Sequence, residues 1–300
     1  MTASFAQRVR RSVLVALLSG PMAASACAHP GAVDRAQALV RQNREDEAVA
    51  VLQQRLSAHP DDVAARRLLI RLLASTGDLL AARAQVQELA RRLPPDDPSP
   101  SIELGHALEL THRYDEALEA YDQAAAISPA SPDGPREGGT RAARWGELEE
   151  ARPRLEEALR RGANDADIWH TIGLVRLHLG DHDGAVAAYR AGAASDPKCG
   201  ECWLGIATVG LVRGDARLAL EGYDRVLALS PRFASAQLGR AWALAQLGRA
   251  AEASRALDAA QELGAPSAPI ARQRAALANP AGRQAPDSQA PAASAGQRAE

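Results

Sequence analysis

The chain has 300 residues, 46% of them hydrophobic but only 3% aromatic, with 35 basic against 37 acidic side chains and a formal net charge of −2. A near-balanced charge without a dense basic face argues against nucleic acid as a partner. The apolar content is drawn mostly from Ala and Leu, which argues against a β-sandwich and for an all-α chain, because both are strong helix formers and small Ala side chains let helices approach closely.

In chain order, Arg8, Arg10 and Arg11 precede the apolar run 13–18, and Ser19, Gly20, Pro21 and small residues follow up to Ala26. That order is a secretory signal, and its apolar core is far shorter than the roughly 20 residues needed to span a bilayer. Residues 1–26 are expected to be a signal peptide cut before Cys27. Ala24, Ser25 and Ala26 suit ordinary signal peptidase. A small residue directly before Cys27 also resembles a bacterial lipobox, although Ala24 stands where lipoproteins usually carry Leu and Gly20-Pro21 interrupts the apolar run. Under the lipobox reading Cys27 is lipidated. Ala28, rather than Asp, then implies the periplasmic side of the outer membrane. Under the plain reading the protein is periplasmic or secreted.

From there the chain is periodic. Ala48, Ala82, Ala117, Ala151, Ala185, Ala219 and Ala253 recur with gaps of 34, 35, 34, 34, 34 and 34 residues. Twelve residues after them stand Pro60, Pro94, Pro129, Ala163, Pro197, Pro231 and Ala265. A fixed period of this length marks a stacked array. Residues 166–199 display one unit. Ile168, Trp169, Ile172 and Val175 follow helical spacing behind a capping Asp165, and Gly180-Asp181 makes a turn. Val186 and Tyr189 lie on one face of a second helix, which Pro197 brings to an end. Two such helices bury little alone, so neighbouring units must stack to form a core.

The pattern resembles the tetratricopeptide repeat (TPR) family, whose motif is met at Trp169, Ile172, Gly173, Ala185, Tyr189, Gly192 and Pro197, with Arg176 in the place of a Tyr. The next unit offers Trp203, Ile206, Ala207, Ala219, Tyr223, Val226 and Pro231, and the third Leu104, Gly105, Leu108, Ala117, Tyr121, Ala124 and Pro129. Units one, two and seven fit more loosely. The resemblance covers 29–265 and implies a right-handed α-solenoid, or superhelix, of about seven helix-turn-helix units whose first helices line a concave groove.

The fourth unit departs most. Its first helix carries Gly138 where a large apolar residue belongs, and a helix-interior Gly costs about 1 kcal/mol relative to Ala. Two readings stay open: a soft joint over 130–140, or a slightly irregular helix in a continuous spiral. Residues 266–278 read as a capping helix. After Leu277 no Leu, Ile, Val or aromatic residue follows, so 279–300 are expected to be a disordered tail.

No G-x-S-x-G, P-loop, dinucleotide fingerprint or H-E-x-x-H is present, and the repeats consume nearly all of the chain expected to be ordered. The expectation is therefore no enzyme, no cofactor, no bound metal and no small-molecule substrate. Cys199-Gly-Glu-Cys202 is the one reactive-looking motif. It lacks the βαβ background of thioredoxin-like oxidoreductases, and Trp203 follows where haem attachment needs His. A zinc site takes about four ligands, and only His170 and His178 are conceivable helpers. A local disulfide between Cys199 and Cys202, two inert thiols, or a periplasmic thiol-disulfide or metal-handling module are the readings left.

The TPR resemblance further implies which first-helix positions face the groove. In the early units these are Arg41, Arg67, Arg71, His106, Arg136 and Arg144; in the later ones His170, Leu174, Leu177, His178, Leu204, Leu211, Val212, Leu238 and Trp242. A basic half and an apolar half suit an extended or helical peptide with an acidic end and a greasy end, and Trp242 is the natural anchor. The Asn residues by which chaperone-binding TPRs take chaperone tails are missing. The function expected is a non-enzymatic scaffold for a protein or peptide partner, touching the membrane only through a lipid on Cys27. Its topology and export signal are similar to those of pilotin-type and pilus-assembly TPR lipoproteins, which implies a role in assembling an envelope, secretion or pilus complex. A soluble, secreted TPR binding protein is the alternative without lipid.

Overall fold

The computed structural model describes residues 31–278. The expected signal peptide 1–26, Cys27 and the tail 279–300 lie outside the described residues. Fifteen α-helices and no strands occur among the described residues. They are α1 (Ala32–Arg41), α2 (Glu45–Ala58), α3 (Val63–Ser75), α4 (Leu79–Ala90), α5 (Ser99–Leu110), α6 (Tyr114–Ile127), α7 (Asp133–Trp145), α8 (Leu148–Arg160), α9 (Ala166–His178), α10 (His182–Ser195), α11 (Gly200–Arg213), α12 (Ala216–Leu229), α13 (Ala234–Gln246), α14 (Ala250–Glu262) and α15 (Ser267–Ala278). Among them, no helix is long and apolar enough to cross a membrane.

The helices pair as seven hairpins, and the turn inside each is fixed by one left-handed residue. Gly77, Gly146, Gly180, Gly214 and Gly248 supply it at φ between 67° and 91°, where a Cβ would be strained. Asn43 and His112 take the same conformation, at φ 59° and 61°, in the first and third hairpins. Aspartates then start the next helix: Asp62, Asp78, Asp165, Asp181 and Asp215 each accept a backbone N–H of the first turn. Two repeats lack the terminal proline, and both stop at a glycine instead. Gly162 and Gly264, at φ 98° and 83°, close α8 and α14.

Packing divides the chain into two compact units at Gly138 and Gly139, inside α7. In the N-terminal unit the core runs through Leu52, Leu69, Ile70, Leu72 and Leu89. In the C-terminal unit it runs through Tyr189, Ile206 and Val209, and on through Tyr223, Leu244 and Leu257. Helix α15 lays Ile270 onto this last cluster, and Gln273 donates from Nε2 to the Leu238 carbonyl at 3.3 Å.

The fourth repeat forms a continuous first helix in spite of its glycines, because two of them admit neighbours. A Cβ on Gly134 would stand 2.5 Å from the Ala125 nitrogen, and one on Gly139 would stand 2.8 Å from Leu155 Cγ. The same device recurs at the tyrosines. A Cβ on Gly173 or on Gly205 would lie 2.5 Å from the ring of Tyr189, and one on Gly105 equally close to Tyr121. Each buried ring occupies the volume that a side chain on the facing helix would take.

Gly173→Ala is expected to lower stability by about 1–3 kcal/mol through overpacking against Tyr189. Gly200→Ala, at a site with nothing within 4 Å, should stay within about 0.5 kcal/mol of the parent. Urea unfolding of both variants makes the comparison, and equal responses would show that the glycine gap does not seat the ring.

Candidate partner-binding surface

In the N-terminal unit the basic residues of the first helices are committed to an internal ladder. Arg71 on α3 reaches Glu103 on α5 through two parallel bonds, Nε to Oε2 and Nη2 to Oε1, each 2.8 Å. Arg67 adds a longer contact, its Nε 3.7 Å from Glu103 Oε1. One period further on the pattern repeats. His106 Nε2 lies 3.3 Å from Glu137 Oε2 on α7, while its Nδ1 lies 3.6 Å from Glu103 Oε2. Glu103 and Glu137 are 34 residues apart and occupy equivalent positions. Each receives a basic side chain from the preceding first helix.

This changes the reading of the basic half. His106, expected at the partner surface, is only 5% exposed, and its ring stands edge-on to Tyr121 with centroids 5.8 Å apart. Arg71 is held along one edge of its guanidinium by the Glu103 carboxylate, so neither residue is offered to a partner as a ready cation. Arg67 stays half-exposed. The residues that sequence reasoning missed are Glu103 and Glu137. Their signal was a glutamate repeated at one period, at the same position of two successive first helices.

Burial pushes the Glu103 carboxyl up, but hydrogen bonds from His106 and Arg71, with their charges, outweigh it and hold the group at about 2. Burial also opposes charge on His106, and the bonds to Glu103 and Glu137 overcome it against the neighbouring Arg71, so this imidazole titrates above its ordinary 6.5. Glu103 thus titrates lower folded than unfolded. Its contribution is present above the ordinary 4.5 and is lost as pH falls towards about 2. For His106 the sign reverses: the contribution is full below 6.5 and is lost as pH rises through the raised value.

The C-terminal unit presents a different surface. Leu204 on α11 and Leu238 on α13 are one period apart, and Leu174 on α9 and Trp242 on α13 are two periods apart. All four are half-buried. Leu204, Leu211, Leu238 and Trp242 pack on the core cluster by one side and remain open on the other, and Val212 is 53% exposed. Leu177 leans on the Tyr189 cluster. His170 is half-buried, its Nδ1 3.7 Å from Glu201 Oε2 and its ring 5.9 Å from that of Tyr189. His178 is exposed and donates from Nδ1 to the Leu174 carbonyl at 2.8 Å.

Cys199 and Cys202 are joined by a disulfide, with Cα atoms 5.3 Å apart. Cys199 caps α11, its Sγ accepting the Cys202 N–H at 3.1 Å. Cys202 is fully buried and fills a gap over Gly192, where a Cβ would stand 2.7 Å from its sulfur. The bridge fastens the start of α11 in the seam with α10. An attacking thiolate needs access to a sulfur; burial withholds Cys202 from it, while the half-exposed Cys199 remains the one sulfur within reach. No group of three or more potential metal ligands gathers among the described residues.

The ionic ladder predicts a stability maximum for the N-terminal unit between its two titrations. Thermal unfolding at about pH 3, 5.5 and 9 should show the midpoint falling on both sides, and Glu103→Gln should flatten both arms. An unaltered pH profile in that variant would place the pH dependence elsewhere.

Tetratricopeptide repeat family models match residues 33–98, 137–198 and 204–269, and a second tetratricopeptide repeat model matches 102–131. No curated protein matches the chain. Among solved structures it is similar to the C-terminal part of a TPR repeat-containing protein from Cytophaga hutchinsonii, at 14% identity and TM-score 0.59 over 77% of this chain and 94% of that one. It is also similar to YrrB, a TPR protein with an unusual peptide-binding site, at 18% identity and TM-score 0.56 over 63% of this chain and 97% of that one. MamA follows at 18% identity and TM-score 0.51, over 53% and 94%. At such identities the likeness is one of fold. The family models span well over half of the sequence and the helices pair as their period requires: the chain is an all-α solenoid of helix-turn-helix units and belongs to the tetratricopeptide repeat family.

Proposed function

We propose that the protein is a non-enzymatic scaffold that holds a protein or peptide segment against the first helices α9, α11 and α13 of its C-terminal unit. The observation that carries this reading is the row of half-open large apolar side chains, Leu174, Leu204, Leu211, Leu238 and Trp242, on three successive first helices. A folded chain leaves such side chains half-open at a cost in apolar exposure of about 25 cal/mol per Å², which a partner's own apolar face recovers. Tetratricopeptide repeats serve as protein-interaction scaffolds, and YrrB, of similar fold, has a peptide-binding site. The partner is expected to be apolar rather than acidic, since the basic residues Arg71 and His106 are already engaged.

The reading extends to the envelope. The N-terminal charged, apolar and small-residue order supports export, and the position of Cys27 supports a lipid anchor at the periplasmic side of the outer membrane, where the scaffold would serve assembly of an envelope, secretion or pilus complex. The soluble, secreted form is the same scaffold without the lipid. The alternative thiol-disulfide reading draws on Cys199 and Cys202 alone, of which only Cys199 is open to attack, and no metal-ligand group gathers beside them among the described residues.

A cross-linked partner identified by mass supplies the ligand. Trp242→Ala and Leu204→Asp should each weaken its capture by about 2 kcal/mol or more with the thermal unfolding curve checked alongside; unchanged capture by both well-folded variants removes this surface from the reading. Intact mass of the membrane fraction should carry acyl chains on Cys27, and an unmodified mature terminus rejects the anchor while leaving the scaffold untouched. Replacing Cys199 and Cys202 by Ser should leave capture intact.

A further inference from the structure

The one place where the 34-residue period lengthens to 35 lies between Ala82 and Ala117. The link from α4 to α5 there runs over 91–98 and carries Pro94, Pro95 and Pro98. A cleft of about 320 Å³ opens on the second-helix side of the N-terminal unit, between the two helices this link separates and α6. Its walls are the second helices α4 and α6, and its floor is the first helix α5. It is therefore a separate surface from the first-helix faces described above.

The floor is apolar: Val86, Leu104, Leu108 and Ala120 line it, and only Leu104 is more than slightly exposed. Around the rim stand polar groups that the protein itself leaves unused. The Arg83 Nε–H is buried and has no acceptor among the described residues, although the Nη2 of the same guanidinium meets Glu116 Oε2 at 3.1 Å across the mouth. Gln87 on α4 and Gln123 on α6 line opposite walls, and Glu119 lies exposed between them. None of these three side chains has a hydrogen bond or an ion pair among the described residues. Asp115, also exposed on α6, adds a second unpaired carboxylate nearby.

Those groups specify an occupant. The Arg83 Nε–H lies below the reach of a ligand, so the exposed carboxamides and carboxylate carry the recognition. A carboxamide carries both donors and an acceptor, so two of them on facing walls match the alternating N–H and C=O of a main chain. A purely apolar small molecule would leave all of these groups unsatisfied, and a polyanion would meet the unpaired carboxylates. The volume sits at the low end of the roughly 300–1,000 Å³ of ligand pockets, room for a side chain or two and not for a folded face.

We propose that the cleft between α4 and α6 binds an extended peptide segment in which a large aliphatic residue lies beside an Arg or Lys. The aliphatic side chain fills the floor over Leu104 and Leu108. Gln87 and Gln123 hold the main chain, and the basic residue pairs with Glu119. This site operates independently of Trp242 and of any occupant of the C-terminal unit.

The test uses the full chain and a fluorescein-labelled peptide, acetyl-Gly-Ser-Arg-Leu-Arg-Ser-Gly-amide, in an anisotropy titration. Two control peptides replace the Leu by Ser or both Arg by Glu. Saturable binding with a dissociation constant below about 1 mM is expected for the first peptide only. Glu119→Lys, an exposed rim change whose fold is checked by circular dichroism, should weaken it about tenfold by turning an attraction into a repulsion. The double variant Gln87→Ala, Gln123→Ala should weaken it too, and Trp242→Ala should leave it unchanged. Absence of saturable binding, equal binding of the controls, or indifference to both sets of cleft substitutions overturns the proposal. So does loss of binding in Trp242→Ala alone, which would assign the peptide to the C-terminal surface. Self-association that disappears with Glu119→Lys would make the occupant a second copy of the chain and would equally overturn it.

Discussion

A tyrosine ring lodged where two glycines withhold their side chains is the contact on which the stacking of repeats five and six depends. Tyr189 on α10 lies against Gly173 of its own repeat and Gly205 of the next, both close enough that a Cβ on either would collide with it. One ring thereby fixes the spacing inside a hairpin and the spacing between hairpins. The constraint is steric before it is energetic, because a packed interior leaves no room for a helix to slide. Burial also forces the phenol to remain neutral: Tyr223, the corresponding ring one repeat on, is pushed up to about 12 by desolvation alone.

The N-terminal unit couples its successive first helices by a different force at the same point of the repeat. Gly205 and Gly239 in the later repeats are equivalent to Glu103 and Glu137 in the earlier ones. Where a glycine stands, a ring from the preceding second helix enters. Where a glutamate stands, a basic side chain from the preceding first helix enters instead, Arg71 in one case and His106 in the other. A ring in a glycine gap is indifferent to pH and salt. A buried ion pair depends on both partners keeping their charge and is strongly destabilised when one is removed. One period therefore carries two chemistries, and only one of them responds to protons.

The repeat, the helix boundaries and the turns were legible in the sequence because each rests on local chemistry. Gly180 and Gly214 supply a left-handed turn, Asp165 and Asp181 cap, and Pro197 and Pro231 stop a helix. Asn43 and His112 show the limit of that legibility, since side chains with a Cβ hold the same turn. The pairing partners were harder to read. Arg71 looks like a groove cation until Glu103, 32 residues away, is seen to accept from its Nε and Nη2. His106 sits at a position that the family resemblance assigns to the groove, yet two carboxylates and the Tyr121 ring enclose it. Contacts between equivalent positions of neighbouring repeats are set by the angle at which helices stack, which no local pattern encodes. The cleft over α5 was not legible either, because its lining comes from three helices whose stacking brings Arg83, Leu104 and Gln123 together.

These seams also decide where function can reside. Residues that hold a repeat together are spent on packing, so Trp169, Gly173 and Tyr189 are poor places to seek a partner even though they dominate the motif. The side chains left half-open are those that the motif does not prescribe, Leu174, Leu204, Leu238 and Trp242 on first helices, and Gln87, Glu119 and Gln123 on second helices. The first group is continuous with the core and offers apolar area. The second group surrounds a small apolar floor with unused polar atoms and offers geometry. Area without directed polar groups tolerates many apolar partners, whereas unpaired donors and acceptors reject any ligand that fails to match them. Under the two proposals made above, the smaller surface is the selective one, and the broader first-helix face supplies adhesion more than discrimination.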